Sequence, residues 1–464
     1  MKPLSLFDQM FLHLEKRQQQ AHVGCLMVFS LPQDGMLNIK NELLSHLKRY
    51  NKPVTPYSLK LEKKGFKYFW SHDNEFDIEH HVRHMALPKP GRIRELLTYI
   101  SAEHSNIMHR ERPLWECHII EGIQGNRFAI YFKIHHALSD GISALHYLTR
   151  FLSNDPTHNN MPPPWAIGSN SSNFDDKEVP KNKVEKNPIQ ASLQMIKAIP
   201  SVYRHMFDRN DFEQGTLNAM FGLKAPQTIL NARITGSRRY AAQSYDLKKF
   251  KKIANHFGCT LNDVILTVCG GALRLYLQSQ NALPKEPLIA FVPVSIRKDD
   301  SKGGNQIAMI QASLGTNIKD PTLRLEEVVA SINVAKRRLQ KLSKEEFLIY
   351  TAITLTPGII HLSTGLLSGR LPCNVVISNV PGPNEPLYWN GAKLQGLYPM
   401  SQPIDRVALN LTMVSYNGAL EFGLTACRRS MPSMQALLVH IDQSVDDLTG
   451  LIESKPSFSA NAVA

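Results

Sequence analysis

The segment Arg127–His136 constrains this chain more than any other. Phe128, Ile130, Phe132, Ile134 and His136 alternate with Ala129, Tyr131, Lys133 and His135, the period-two pattern of a β-strand. Two adjacent histidines at the end of such a strand point to opposite faces. His136 shares the apolar face and is expected to enter a core or tunnel. Burial there favours the neutral imidazole, the form that acts as a general base near neutral pH. Asp140-Gly141 follows within a few residues, giving His135-His136-x-x-x-Asp140-Gly141. Gly141 permits close backbone approach or an unusual φ. A helix is predicted after it, through Ser143, Leu145 and His146 toward Phe151.

A chain of 464 residues is too long for a typical single core and implies two domains. Residues 1–165 form the expected first domain. It holds strand-like Val23–Ser30, helical Glu42–Arg49 and Arg94–Met108, and the histidine strand. Residues 166–232 are the expected linker or crossover: Gly168-Ser169-Asn170-Ser171-Ser172-Asn173 opens a polar, aperiodic stretch reaching about Pro188, with a helix over 189–209. Residues 233–464 form the expected second domain. Arg238–Tyr245 alternates there, Thr260 or Asn262 caps a strongly apolar helix ending near Leu277, and strands are predicted at 288–295, 307–314, 374–379, 408–416 and 419–427. Helices are predicted at 323–342 and 433–452, with a mobile tail from Pro456.

The balance of 53 Lys and Arg against 40 Asp and Glu leaves a net charge of +13. Nucleic acid, an anionic membrane surface and an anionic small molecule such as coenzyme A are the candidate partners. No nucleic-acid motif and no aromatic-basic interleaving is present, so nucleic acid is not expected. The basic runs Lys248-Lys249-Phe250-Lys251-Lys252 and Lys336-Arg337-Arg338, with Lys341 and Lys344, read first as solvated helix faces. The six cysteines show neither C-x-x-C pairs nor a disulfide-like spacing, which fits reduced thiols in a cytoplasmic protein. No secretory signal is recognised. The most apolar stretch, Ala352–Gly369, is broken by Pro357, Gly358 and His361, so a helix–loop–helix against a pocket or membrane surface is expected rather than a span.

Further blocks accompany the histidines: Leu6-Phe7-Asp8-Gln9-Met10-Phe11, His22-Val23-Gly24, Pro113-Leu114-Trp115-Glu116, Leu261-Asn262-Asp263-Val264, Pro293-Val294-Ser295-Ile296-Arg297 and Ile377-Ser378-Asn379-Val380-Pro381-Gly382-Pro383. His-His-x-x-x-Asp-Gly resembles the acyl-transfer signature of the chloramphenicol acetyltransferase and condensation-domain superfamily. With the other blocks, in order over nearly the whole chain, the sequence resembles the bacterial wax ester synthase/diacylglycerol acyltransferases. One departure is Ala21, where the family usually has Met before His-Val-Gly. The resemblance implies an α/β fold of two chloramphenicol-acetyltransferase-like halves, each a mixed sheet with flanking helices, meeting at an active-site channel. It implies an acyl-CoA-dependent O-acyltransferase that makes wax esters from long-chain alcohols and triacylglycerol from diacylglycerol. Such a protein is cytoplasmic, with peripheral attachment to the inner membrane face or lipid inclusions. Acyl-CoA is a substrate, and no cofactor or metal is expected.

In that reading His136 is the general base and His135 supports it. Asp140 is structural, pairing with Arg297, since a buried charge left alone is strongly destabilising. Asn262, Ser378 and Asn379 are candidate donors to the oxyanion. Against this, Asn262 also reads as a helix cap and Asn379 as turn chemistry. Pro113, Leu114 and Trp115 shape an apolar wall, with Trp115 a candidate substrate contact. No Gly-x-Ser-x-Gly elbow and no nucleophile-like cysteine is present, so transfer is direct. Metal binding by His135, His136 and Asp140 is disfavoured because adjacent strand histidines diverge. His80-His81 with His84 lacks the Asp-Gly and reads as structural. His135-x-x-x-x-Asp140 also matches glycerol-phosphate acyltransferases, but their acidic-Gly-Thr-Arg block is missing. A carrier-dependent condensation enzyme and a non-catalytic lipid-inclusion protein remain the alternatives.

Overall fold

The computed structural model describes residues 2–4, 6–32, 37–65, 67–139, 141–167, 225–295, 307–340 and 371–454. The expected linker from Gly168, the apolar stretch 352–369, the tail from Pro456, Asp140 and Arg297 lie outside these residues.

The first part of the chain opens with β1 (Lys2–Pro3) and α1 (Leu6–Leu14), followed by β2 (His22–Ser30) and α2 (Ile39–Arg49). A hairpin of β3 (Leu59–Lys64) and β4 (Lys67–His72) joins β1 in a small antiparallel sheet. Then come α3 (Ile78–His81), β5 (Val82–Ala86), α4 (Ile93–Glu103), β6 (Trp115–Ile123), β7 (Arg127–His135) and α5 (Gly141–Thr149). The later part holds β8 (Arg238–Asp246), α6 (Leu247–Phe257), α7 (Leu261–Ser279), β9 (Ile289–Ser295), β10 (Ile307–Ser313) and α8 (Pro321–Gln340). It continues with β11 (Val375–Val380), β12 (Tyr388–Trp389), β13 (Ala392–Met400), β14 (Leu409–Tyr416), β15 (Ala419–Cys427) and α9 (Ala436–Ser454).

Two six-stranded mixed sheets carry the architecture, in the orders β12-β13-β2-β7-β6-β5 and β10-β9-β11-β14-β15-β8. This is the mixed α/β fold expected. The sheets interlock in sequence: β13, from the later part, completes the first sheet by pairing antiparallel with β2, Met400 opposite Gly24 and Lys393 opposite Ser30. The sequence reading had no strand there. The two sheets touch at β13 and β15, where a Cβ on Gly423 would stand 1.8 Å from the Pro399 carbonyl oxygen. Only glycine allows so close a backbone approach.

β7 lies in the middle of the first sheet and is buried on both faces. Phe128, Ile130, Phe132 and Ile134 pack with Phe29, Trp115 and Trp389. Ala129 and Tyr131 pack with Leu26, Ile100, Tyr240 and Met400. Against the second sheet, α7 is capped by Thr260, whose hydroxyl accepts from the Asp263 N–H while the Asp263 carboxylate accepts from the Thr260 N–H. This capping box settles which residue caps the helix. Val264, Leu266, Val268, Leu273 and Leu277 then bury against β14, β15 and α9 residues such as Leu411, Phe422 and Ile441. On α6, Lys248, Lys249, Lys251 and Lys252 are exposed while Phe250 is fully buried, so this basic run is a solvated helix face. None of the six cysteines is in a disulfide.

Candidate active site

The strand ends one residue before the alternation predicts. β7 stops at His135, and His136 opens a turn in which the Leu138 and Ser139 N–H groups both point to the His135 carbonyl, at 2.9 and 3.3 Å. His136 is therefore half-buried in a turn rather than carried on the apolar strand face. The backbone hydrogen bonds of the turn prevail over the side-chain period. His136 is fixed by other means. Its ring stacks on Phe11 of α1, centroids 4.5 Å apart and planes 6° from parallel. Its N–H donates to the Ala21 carbonyl at 2.8 Å. Ala21 thus acts through its backbone, so replacing the family's usual Met leaves that contact intact.

His135 is the more deeply buried of the pair, 1% exposed. Its Nδ1 accepts from the Ala137 N–H at 3.0 Å, which leaves Nε2 as the protonated nitrogen of the neutral ring. Nε2 faces the Glu15 carboxylate at 3.4 Å. Glu15 is held in turn by Arg110, 3.0 Å from its guanidinium, and by the Ala21 N–H at 3.2 Å. Burial works to raise the Glu15 carboxyl, but His135 and Arg110 outweigh it and hold it below the ordinary glutamate value. Glu15 therefore stays ionised beside the motif. The sequence reading missed Glu15, Arg110 and the role of Phe11. Only the neighbouring block Leu6–Phe11 marked the region, because their partners lie about a hundred residues away.

Behind the histidines runs a buried polar layer. Lys133, fully buried, reaches the Glu116 carboxylate at 2.9 Å and donates to the Glu103 and Asn106 carbonyls. Glu116 stands opposite Lys133 across β6 and β7. Burial acts to raise its carboxyl, but the hydrogen bond to His118 and the Lys133 ammonium draw it down to about 2. Glu103, Glu116 and His118 also lie close enough together to hold a cation, but the Lys133 ammonium already occupies the carboxylate there. His22, opposite His135 in β2, is fully buried, its Nε2 2.9 Å from the His104 carbonyl. Burial first, then the His104 and Lys133 charges, keep it well below the ordinary histidine range.

Trp115 is fully enclosed. Its Nε1 donates to the Tyr57 carbonyl at 2.8 Å, and its ring stacks on Phe132 and His81. The Leu114 carbonyl accepts the His135 N–H at 3.0 Å, so this block walls the strand end. His81 is structural: its Nδ1 lies 2.8 Å from the Trp115 carbonyl. Asn262 is the second residue of α7, half-buried, and is not the cap. Ser378 and Asn379 sit within β11, in register with Thr412 and Met413 of β14. Asn379 is thus a strand residue rather than part of a turn. The histidines belong to the first sheet, and these three polar residues belong to the second sheet and its helix layer. Gly141 starts α5. The expected Asp140–Arg297 pair lies outside the described residues.

Comparison with known proteins settles the kinship. The wax ester synthase/diacylglycerol acyltransferase catalytic domain model matches residues 4–265, and the C-terminal domain model of the same family matches residues 303–449. The chain belongs to this family. The chain is 46% identical over 457 residues to "O-acyltransferase WSD" of Acinetobacter baylyi, covering 97% of this chain and 98% of that one. It is 38% identical over 452 residues to a putative diacylglycerol O-acyltransferase of Mycobacterium tuberculosis, covering 96% and 99%. The solved wax ester synthase/diacylglycerol acyltransferase of Marinobacter aquaeolei VT8 superposes with a TM-score of 0.79 at 41% identity, covering 97% of this chain and all of that one. The first condensation domain of the CDA synthetase shares the fold at 12% identity, TM-score 0.60, covering 98% and 96%.

Proposed function

We propose that this protein transfers a fatty acyl group from acyl-CoA to the hydroxyl of a long-chain alcohol, giving a wax ester, and to that of diacylglycerol, giving triacylglycerol. The observation that carries the proposal is the anchored histidine pair at the end of β7: His136 on the Phe11 ring and the Ala21 carbonyl, His135 on Glu15. The names of its relatives supply the substrate classes.

In the reaction, the alcohol O–H gives its proton to the His136 imidazole as its oxygen attacks the thioester carbon. The tetrahedral intermediate collapses with cleavage of the C–S bond, and the imidazolium returns the proton to the leaving thiolate, releasing CoA–SH and the ester. No covalent acyl-enzyme is needed, because thiolate is already a good leaving group. His135, locked by Ala137 and Glu15, holds the turn in register. We assign Asp140, paired with Arg297, and Gly141 to the shape of the motif loop. Asn262, Ser378 and Asn379 are the proposed donors to the oxyanion, and Trp115 contributes to the apolar wall. Acyl-CoA is consumed as a substrate, and the chemistry requires no resident cofactor or metal.

We place the protein in the cytoplasm, attached peripherally to the inner membrane face and lipid inclusions. No helix among the described residues is long and apolar enough to cross a membrane, and the net charge is +13. Both products are insoluble in water, which favours release at a lipid surface.

The test is thiol release from palmitoyl-CoA with hexadecanol, and separately with diacylglycerol. Release should require the acceptor and fall by about 10²–10⁴-fold in His136→Ala. Unchanged release in that variant would refute the base assignment. Activity only with a carrier-bound acyl donor would refute the acyl-CoA assignment.

A further inference from the structure

The segment between α1 and β2 sets both motif histidines, yet it has little structure of its own. Glu15 at its start faces His135, and the Ala21 carbonyl at its end accepts from the His136 N–H. Between them the only regular feature is the bridge between Lys16 and Gln19. Its path is fixed from outside, by Arg110 and Ser105 of the first part and by the later part of the chain.

Three contacts tie it to the later part. Arg238, the first residue of β8, is 3% exposed. Its guanidinium donates to the carbonyls of Gln18, Thr235 and Ser237, and its backbone N–H donates to the Ser105 hydroxyl at 2.9 Å. The Gln20 amide, 1% exposed, donates to the carbonyls of Arg17, Ser105 and Gly236 at 2.9, 2.7 and 3.2 Å. The Asp405 N–H donates to the Gln19 side-chain oxygen at 2.9 Å. The fit is close: a Cβ on Gly236 would stand 2.9 Å from the Arg17 carbonyl oxygen.

Arg238 is the unusual member. Among the described residues no carboxylate pairs with it; its guanidinium hydrogen-bonds to backbone carbonyls, with the Cys427 sulfur and the His104 ring as its polar neighbours. A buried guanidinium without a carboxylate partner is costly, and an apolar side chain would fill the same volume more cheaply. The planar fork instead ties the 235–237 turn to Gln18 in a fixed direction.

We propose that Arg238 is a positioning residue for the transfer reaction: from the later half of the chain it clamps the Glu15–His22 segment and so fixes the geometry of His135 and His136. The kinetic part rests on the reading of His136 as base, and the geometric part does not.

The experiment compares Arg238→Met, Arg238→Lys and Gly236→Ala, with Arg92→Met as a surface control, since Arg92 is exposed just before α4 and its ion pair among the described residues is with Glu95. The activity readout is kcat and KM for palmitoyl-CoA. The second readout is the imidazole nitrogen resonances of His135, whose Nδ1 accepts from Ala137 and whose Nε2 faces Glu15. In Arg238→Met, kcat should fall by about 10- to 100-fold, the scale of a misplacement near 1 Å. KM should stay within about 3-fold, Arg238→Lys should recover part of the loss, and the His135 resonances should move. Arg92→Met should match the native protein. If Arg238→Met does not fold, Gly236→Ala must give the same His135 signature. Native kcat in a folded Arg238→Met, or unmoved His135 resonances in whichever of the two variants folds, would overturn the clamp. Full activity in His136→Ala would instead sink the base reading, and the clamp would then stand or fall on the His135 resonances.

Discussion

Lys133→Met should destabilise this protein strongly, and by an amount that depends on pH. Lys133 is fully buried and Glu116 is 6% exposed. Removing the ammonium strands a carboxylate in the interior, which typically costs about 3–5 kcal/mol. The titration of Glu116 gives an independent scale. Burial opposes ionisation, yet the His118 hydrogen bond and Lys133 bring its carboxyl from 4.5 to about 2, a difference equivalent to about 3 kcal/mol. His118 and the half-exposed Arg83 remain near Glu116 in the variant, so the lower end, about 3 kcal/mol, is expected. The sign follows from linkage. In the native protein Glu116 binds its proton less readily folded than unfolded, so its contribution is present above about pH 4.5 and is lost as pH falls toward 2. In the variant burial dominates, the carboxyl titrates higher, and protonation relieves the stranded charge. The deficit should therefore be largest at pH 7 and shrink toward pH 5. Denaturant midpoints at the two pH values measure it, with a loss in Tm of roughly 3 °C at pH 7. Glu116→Leu combined with Lys133→Met should regain more than half of the stability. A midpoint unchanged at pH 7, or a deficit equal at both pH values, would refute the reasoning.

Phe11→Ala removes the ring under His136. It should lower kcat about 10-fold or more while the unfolding midpoint moves by only about 1 kcal/mol, as separate kinetic and denaturation measurements would show. Glu421 is 1% exposed, and burial pushes its carboxyl up to about 7 against the hydrogen bond from Ser244. Its contribution is complete below about pH 4.5 and is lost as pH rises through 7, so Glu421→Gln should flatten the stability profile over that window; a profile of unchanged slope would count against the assignment. Gly423→Ala should separate β15 from β13 by driving a Cβ into the Pro399 carbonyl. A fall in Tm of several degrees is expected, and native stability would mean that the strands can part freely.

Much of the frame was legible in the sequence because its signals are local. The capped apolar helix at Leu261–Ser279, the strand at Ala419–Cys427 and the basic face of Leu247–Phe257 follow from periodicity and capping within a dozen residues. The hairpin Leu59–His72, the parallel edge strand Val82–Ala86 and Ala392–Met400 were not read, since their pairing partners are distant and their patterns short. At the site, the motif itself named His135 and His136, but period-two alternation placed His136 on the wrong footing by carrying the strand one residue too far.

By itself, then, the sequence determined the chemistry-bearing motif, the α/β class and the kinship, because residue identity and local order carry them. Only the tertiary structure decided which groups hold that motif. Phe11, Glu15, Arg110 and the Ala21 carbonyl converge on it through contacts that span about a hundred residues or more, and Arg238 grips the same segment from the later half. Such convergence depends on where strands pair and sheets pack. No local spacing encodes it, because the partners are brought together by burial of the whole core rather than by any pattern within one element.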